Sequence, residues 1–545
     1  MRYSIREPRR GPVLMAAAVA LATLTACSNG SSAGPPPTGT GAAPATGAPT
    51  ATAPANPSPS PTPTPTPTRT YPLSTAPQVI PAVGRHEAAR GPGWKPGPGT
   101  GVVVAAKDEA ALADEARLIA GELAIPYRGT AAARPGDVSL ALGGSGGAES
   151  YTLAVSGGGV RITGPGEAGV FYGTRTLKQS VRSTGAIPEG TVTDAPAKPQ
   201  RGLMVDIARK YFSAGWIEAR LREMADLKLN QLGLHFSDDQ GFRIASDSHP
   251  EIVSAQHLSK AEVRRIVALA NSLHIQVVPE IDSPGHLGAV IAAHPDLQLV
   301  SAGGKAPRGA VDISKPASAK IVDELLREYM GLFPGSYWHL GGDEYVALMV
   351  SNPEATYPQL ARAAVARFGA GARVKDLTTG WLNDRAATVR PSGRALRAWN
   401  DGFFTGGVVA ADKDLQVAYW TGKEIGARTP TSYLSEGRTM LNYNDEYLYY
   451  VLGQPNTFVY PTGRRIYEEW TPLVLRGTTP VPARYDPQIL GGSFAVWCDL
   501  AGSQTEAQVA DGIRMPVTAT AQKLWDARKP TASWQEFTGL AARVR

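Results

Sequence analysis

The sequence predicts an α/β protein: a (β/α)8 TIM barrel over residues 198–545, preceded by a small α+β accessory domain over residues 79–197. Three observations carry that expectation. Beyond residue 198, eight apolar segments of strand length are separated by segments of helical spacing, which fits a closed barrel better than an open sheet. Polar and aromatic residues gather just past those strands, where barrel enzymes place their chemistry. A length of 545 residues, with 43% hydrophobic and 19% charged, is too great for one small domain and too apolar for disorder.

The elements follow in chain order. A basic stretch ending at Arg10, the apolar run Val13 to Leu24 and the tetrapeptide Leu24-Thr25-Ala26-Cys27 have the layout of a secretory signal over residues 1–26. The apolar run is too short to span a bilayer. Its ending resembles the bacterial lipoprotein signal, which makes Cys27 the lipidation candidate. The implied location is the extracellular face of a bacterial membrane, with secretion as the alternative. Residues 27–78 are mostly Gly, Ala, Ser, Pro and Thr with the single charge Arg69, and 12 of the 45 prolines fall between Ser31 and Thr70. Such a stretch buries too little apolar surface to offset its ordering entropy and reads as an extended tether.

In the accessory domain, Gly101–Ala105, Val138–Leu142, Tyr151–Val155 and Val160–Thr163 read as strands, and Leu112, Ala116, Ile119 and Leu123 repeat at helical spacing. Gly164-Pro-Gly166-Glu-Ala-Gly169 matches a dinucleotide fingerprint, but Pro165 and the lack of repeated βαβ units favour a plain turn. Gly143-Gly-Ser145-Gly-Gly147 matches a nucleophile elbow and reads better as a flexible loop.

The eight barrel strands are expected at Gly202–Asp206, Gln231–Phe236, Ile275–Pro279, Tyr337–Gly341, Ala395–Trp399, Leu415–Trp420, Thr439–Tyr443 and Ile489–Trp497. A capping box at Ser259 and Glu262 starts a helix between the second and third. The strand ends supply Arg201, Asp206, His235, Asp238, Asp239, Glu280, Asp282, His286, Asp343, Glu344, Trp399, Asn400, Asp401, Trp420, Tyr447, Trp497 and Asp499. Any one of these could be a buried hydrogen bond or a core aromatic. Jointly they suit a carbohydrate pocket.

Other function classes lack support. The formal net charge is +6, and Arg2, Arg6, Arg9 and Arg10 against Glu7 account for half of it inside the signal, so no nucleic-acid footprint remains. Two cysteines, Cys27 and Cys498, make neither a disulfide scaffold nor a thiolate cluster. His235, Asp238, Asp239, His286 and His294 could ligate a metal, but no two histidines sit at helical i, i+4 spacing, and no cofactor or metal is expected.

Four ordered segments carry a resemblance: Arg201-Gly-Leu-Met-Val-Asp206-Ile-Ala-Arg209, His235-Phe-Ser-Asp238-Asp239-Gln240-Gly-Phe-Arg243, Val278-Pro-Glu280-Ile-Asp282-Ser-Pro-Gly-His286 and His339-Leu-Gly-Gly-Asp343-Glu344. Together they resemble family-20 glycoside hydrolases, the β-N-acetylhexosaminidases, and Gly169 to Gln179 extends the likeness to the accessory domain. Trp399-Asn-Asp401-Gly402, Tyr419-Trp420, Leu441 to Asn444 and Ala495-Val-Trp497 are most similar to the dispersin-like branch, which cleaves β-1,6-linked poly-N-acetylglucosamine.

The resemblance implies exo-acting, retaining, substrate-assisted removal of terminal N-acetylhexosamine through an oxazolinium. Glu344 is then the general acid and base. Asp343 holds the N–H of the 2-acetamido group, and Tyr447 donates to its oxygen. Trp399, Trp420 and Trp497 wall the pocket, Arg201 and Asp499 grip sugar hydroxyls, and Asp238 and His286 tune Glu344. The partners implied are a glycan and, through Cys27, a membrane, with no nucleic acid; a non-catalytic sugar-binding lipoprotein on the same fold is the alternative. Phe242 stands where the family has Trp, Tyr449 replaces the Asp common after Tyr-Leu, and Asp499 replaces Glu. Adjacent carboxylates agree with a nucleophile supplied by the substrate, because two-carboxylate retaining enzymes need carboxyls about 5 to 5.5 Å apart across the bond.

Overall fold

The computed structural model describes residues 70–423, 427–454 and 458–545. Cys27, the signal and nearly all of the tether lie outside the described residues. The accessory domain is a six-stranded sheet of β1 (Arg85–Ala88), β2 (Val102–Val104), β3 (Val138–Leu142), β4 (Tyr151–Ser156), β5 (Gly159–Gly164) and β6 (Gly190–Asp194). Its order is β1-β6-β4-β5-β3-β2, and α1 (Glu109–Glu122) and α2 (Glu167–Thr184) pack on it. Strands β1 and β6 are absent from the sequence reading. Edge strand β1 is Arg-His-Glu-Ala, largely exposed, so it carries no apolar alternation to detect.

Both glycine motifs are structural. A Cβ on Gly169 would lie 2.1 Å from the Ser150 carbonyl oxygen, so this glycine lets α2 approach the sheet. Gly143, Gly144 and Gly147 face open space in a surface loop that leaves Ser145 exposed.

The barrel strands are β7 (Gln200–Asp206), β8 (Gln231–His235), β11 (Gln276–Glu280), β12 (Tyr337–His339), β13 (Ala395–Trp399), β14 (Gln416–Tyr419), β15 (Met440–Asn442), β16 (Tyr449–Val451) and β17 (Ile489–Trp497), with a hairpin of β9 (Ser237–Asp238) and β10 (Gly241–Phe242) after β8. All barrel pairings are parallel, and β17 closes the ring onto β7. The seventh stave is split. Strand β15 pairs with the start of β17, and after an excursion β16 pairs with its end, Tyr449 opposite Ala495 and Val451 opposite Trp497.

Two helices of the ring begin at caps that the sequence supplies. Ser213 caps α3 (Ala214–Asp226), and Ser259 with Glu262 forms the expected box on α4 (Lys260–Ser272). Short α5 (Gly288–Ala293) and α6 (Pro316–Leu332) follow β11. Among the described residues no helix is long and apolar enough to cross a membrane.

Arg201 does not grip a sugar. It is the second residue of β7, five residues before the strand's C-terminal end, or about 16 Å at the usual rise. Its guanidinium is fully buried against the accessory domain, 2.8 and 2.9 Å from Glu149, with further bonds to Tyr172 Oη and the carbonyls of Lys198 and Lys228. Beside it Asp194 of β6 accepts from Lys228, Tyr151 and the Trp525 indole. These two clusters lock the accessory sheet to the barrel's N-terminal end.

Candidate active site

The C-terminal ends of β7, β8 and β11 lie in register, Asp206 beside His235 and His235 beside Glu280, and together they build a charged floor. Asp206 accepts from the Arg209 guanidinium at 3.0 Å and from the backbone N–H groups of Ala208, Arg209 and Cys498. Arg209 also contacts Asp238 at 2.8 Å and lies over the Trp497 ring. His235 lies between Asp238 (2.8 Å) and Glu280 (3.1 Å), while Glu280 accepts from the Trp399 indole at 2.7 Å. Burial would lower the His235 pKa, but the Glu280 and Asp238 carboxylates raise it well above the ordinary imidazole value.

Past β12 the chain runs Gly341-Gly342-Asp343-Glu344. Gly341 has φ +67°, and a Cβ there would lie 1.8 Å from Asp282 Oδ1, which accepts the Gly342 N–H at 2.8 Å. The glycines therefore admit a protein carboxylate rather than the ligand. Glu344 follows in the left-handed region at φ 46°, its N–H held by Asp401 at 2.9 Å. A non-glycine residue there is strained by about 1–3 kcal/mol, and such strain concentrates at functional sites.

His286 connects the two acids. Its Nδ1 faces Asp238 at 3.4 Å, and its Nε2 lies 3.6 Å from Glu344 and 3.7 Å from Asp343. Burial opposes its charge, yet Asp343, Asp238 and Asp282 hold the imidazole well above its usual pKa. Its hydrogen bond is the main cause that lowers the Glu344 pKa. Asp343 is driven well above the carboxylate range, first by burial and then by neighbouring Asp282, which burial itself pushes up to about 6. Both carboxyls have a buried oxygen that no protein donor reaches. Side by side, the two acids titrate as a unit.

Above this floor opens a cavity of about 390 Å3. It is lined by Arg209, His286, Asp343, Glu344, Trp420, Tyr449, Trp497 and Asp499, together with Val451, Phe458, Thr421, Lys423, Asp445 and Met349. Trp420 stacks on Tyr449 with ring centroids 5.7 Å apart and planes within 6°, and its indole donates to Asp401.

Of the residues expected from sequence, Glu344, Asp343, Trp420, Trp497, Asp499 and His286 meet in this cavity, and Asp238 supports His286 from below. Besides Arg201, two do not reach it as expected. Trp399 is 1% exposed and lies beneath the cavity, against Trp497, Tyr443 and His339. The Tyr447 hydroxyl donates to Glu469 at 3.2 Å, and Arg465 covers its ring, so it points away. Tyr449 takes its place, with burial and then the Asp343 and Asp445 carboxylates holding its phenol protonated. Arg209, Asp282 and Glu280 have functional positions that the sequence reading gave no role. The Asp206-x-x-Arg209 ion pair at a strand end was the available signal for the first.

Asp282, His286 and Asp343, like His235, Glu280 and Asp282, bring donor atoms within 4.8 Å of one another, a spacing that could hold a cation. Most of these atoms already face one another in the contacts above, an arrangement that suits a proton network.

Residues 199–528 match the glycosyl hydrolase family 20 catalytic domain, and residues 76–195 match that family's domain 2. The chain belongs to glycosyl hydrolase family 20. A lacto-N-biosidase of Bifidobacterium bifidum is 30% identical over 473 residues, 85% of this chain and 41% of that protein. A β-hexosaminidase of Vibrio furnissii is 26% identical over 65% of this chain and 62% of its own length. The chain thus spans less than two thirds of either relative. A mutant β-hexosaminidase of Streptomyces plicatus bound to its product superimposes with TM-score 0.68 at 22% identity, over 87% of this chain and 95% of that one. An exo-β-N-acetylglucosaminidase of Vibrio harveyi gives 0.70 at 20%, over 86% and 77%. At these identities the two structures speak for the fold, an eight-stranded barrel behind an accessory domain.

Proposed function

We propose that this chain is a retaining, exo-acting β-N-acetylhexosaminidase that uses the substrate's acetamido group as nucleophile. The observation that carries the reading is the pair Asp343 and Glu344 at one cavity wall, both facing His286. Glu344 protonates the glycosidic oxygen. Asp343 accepts the acetamido N–H, which strengthens that carbonyl oxygen as it attacks C1 and balances the cation formed. Tyr449, in the same cavity lining, donates to the same oxygen. Binding an N–H donor favours Asp343 in its ionised form. Water activated by Glu344 then opens the ring with retention. The test is turnover of an aryl N-acetyl-β-glucosaminide against the matching β-glucoside. Comparable kcat/KM on the two, or a glycosyl ester trapped on a carboxylate, would overturn the mechanism.

A second reading concerns what stands beyond the hydrolysed sugar. The family's Tyr-Leu-Asp pattern falls, by side-chain direction, on Tyr449-Tyr450-Val451, so carbon stands at Val451 where the family has a carboxylate. A hydroxyl facing Val451 finds no acceptor there and can carry a further sugar, with Asp499 in the same cavity lining to meet it. The relative that aligns over 85% of this chain is named for a biose unit. Release of a β-linked disaccharide bearing N-acetylhexosamine at its reducing end therefore joins single-sugar release as a proposed activity. Product analysis on both classes decides between them, and a β-1,6-linked N-acetylglucosamine oligomer in the same panel tests the dispersin-like alternative. We also propose attachment through acylated Cys27, which a Cys27→Ser variant tests by releasing active protein into the medium.

A further inference from the structure

Outside the lining of that cavity, His249, Glu251 and His294 each bring one donor atom to within 4.8 Å of the others. They come from separate segments. His249 and Glu251 belong to the turn at Pro250–Ile252 that follows β10, and His294 ends α5. His249 Nδ1 lies 3.1 Å from Glu251 Oε1, and His294 Nε2 lies 2.8 Å from that same oxygen. The two rings are nearly perpendicular at 86°, with centroids 6.2 Å apart, so their nitrogens approach one point from different directions. Behind His249, its Nε2 lies 3.1 Å from Glu324 Oε2 on α6, and Lys320 stands 3.4 Å from the other Glu324 oxygen.

We propose that this cluster is a zinc site, with His249 Nδ1, His294 Nε2 and the Glu251 carboxylate as ligands and Glu324 orienting His249 through its Nε2–H. Two imidazoles and a carboxylate are an established zinc ligand set, and a ligating histidine almost always donates its other N–H to a carboxylate or carbonyl. Glu324 is placed for that role. Two carboxylates face two imidazoles and one lysine, so with neutral imidazoles the cluster keeps a negative charge that a divalent cation offsets. Zinc bonds of about 2.0–2.1 Å set tetrahedral ligand atoms about 3.3–3.5 Å apart, a few tenths of an ångström wider than the hydrogen bonds seen here. Side chains that are 14%, 31% and 42% exposed can make that adjustment and leave a fourth position to water.

The ion would serve structure. It joins the loop after β10 to the end of α5, and the segment that begins at α5 is entered directly from His286. The site thus stiffens the loop that holds His286 against Asp343 and Glu344, without touching either acid. The competing account is a plain ion-pair cluster with protonated imidazoles. Calorimetric titration of the chelator-stripped full chain with Zn2+, and visible absorption with Co2+, separates the two. One saturable equivalent is expected, with the d–d bands of tetrahedral Co2+. Glu324→Gln should weaken binding by about 10–100-fold, the usual cost of losing the carboxylate behind a ligating histidine. His294→Ala should abolish the Co2+ bands while circular dichroism stays unchanged, and Glu251→Gln reports the same loss should His294→Ala fail to fold. No saturable binding by the parent chain, or binding unchanged in His294→Ala and Glu251→Gln, overturns the proposal.

Discussion

Glu344 and Asp343 divide the proposed chemistry, and their substitutions should fail in different ways. Glu344→Gln removes the transferable proton, so kcat should fall by about 10²–10⁴-fold, least on aryl substrates whose leaving groups need no acid. Asp343→Asn keeps the shape but loses the charge facing the cyclised cation, so the loss should persist on those same aryl substrates. Steady-state rates across a series of leaving groups check both. Asp282 offers a sharper test because it acts through Asp343. Its negative charge is, after burial, the largest cause raising the Asp343 pKa. Asp343 works ionised, so a raised pKa places the acid-side loss of activity at a higher pH. Asp282→Asn removes the like charge, lowers the Asp343 pKa, and should move the acid limb of kcat/KM to lower pH. A limb that stays put would show that the pair does not titrate together.

The split seventh stave is the element that decides which tyrosine works. In β16 alternate residues face opposite ways, so Tyr449 and Val451 share one face and Tyr450 takes the other, and pairing with β17 fixes that face toward the cavity. Tyr447 precedes the strand, in a turn closed by its N–H to Asn444. Tyr449→Phe should therefore cost about 10²–10³-fold in kcat, the scale of one lost oxyanion donor, while Tyr447→Phe leaves kcat unchanged. The same element explains what the sequence could convey. All eight staves were legible except the β16 half of the seventh, because each is an apolar run of strand length with polar residues at its end. The phase of Tyr447 and Tyr449 was not, since it depends on where β16 begins to pair with β17, a tertiary event absent from local pattern. Arg201 misled for a related reason: motif adjacency places it with Asp206, but an extended strand carries the two to opposite ends of the barrel.

At the scale of the whole molecule, Arg201 is a fastener between the accessory sheet and the barrel, and its removal distinguishes that role from sugar binding. Arg201 is fully buried and Glu149 is 25% exposed, so Arg201→Ala strands a carboxylate and two backbone carbonyls at the seam. Removing one partner of such a pair costs about 3–5 kcal/mol, and the partial exposure of Glu149 places this one near 3. Chemical denaturation should show that loss, while kcat/KM of the folded variant stays within about twofold, the pocket lying about 16 Å along the strand. The pH dependence gives a second signature. Burial would raise the Glu149 pKa, but Arg201 and the hydrogen bonds from Arg201, Asn230 and Tyr172 bring it below the ordinary carboxylate value. A group whose folded pKa is depressed stabilises fully above its unfolded value of about 4.3 and loses that contribution as pH falls through the folded value. The stability gap between the parent chain and Arg201→Ala should thus be constant near neutrality and shrink below about pH 4. A gap independent of pH would mean that Arg201 acts at the seam by packing on Tyr172 and Trp525 instead of through its charge.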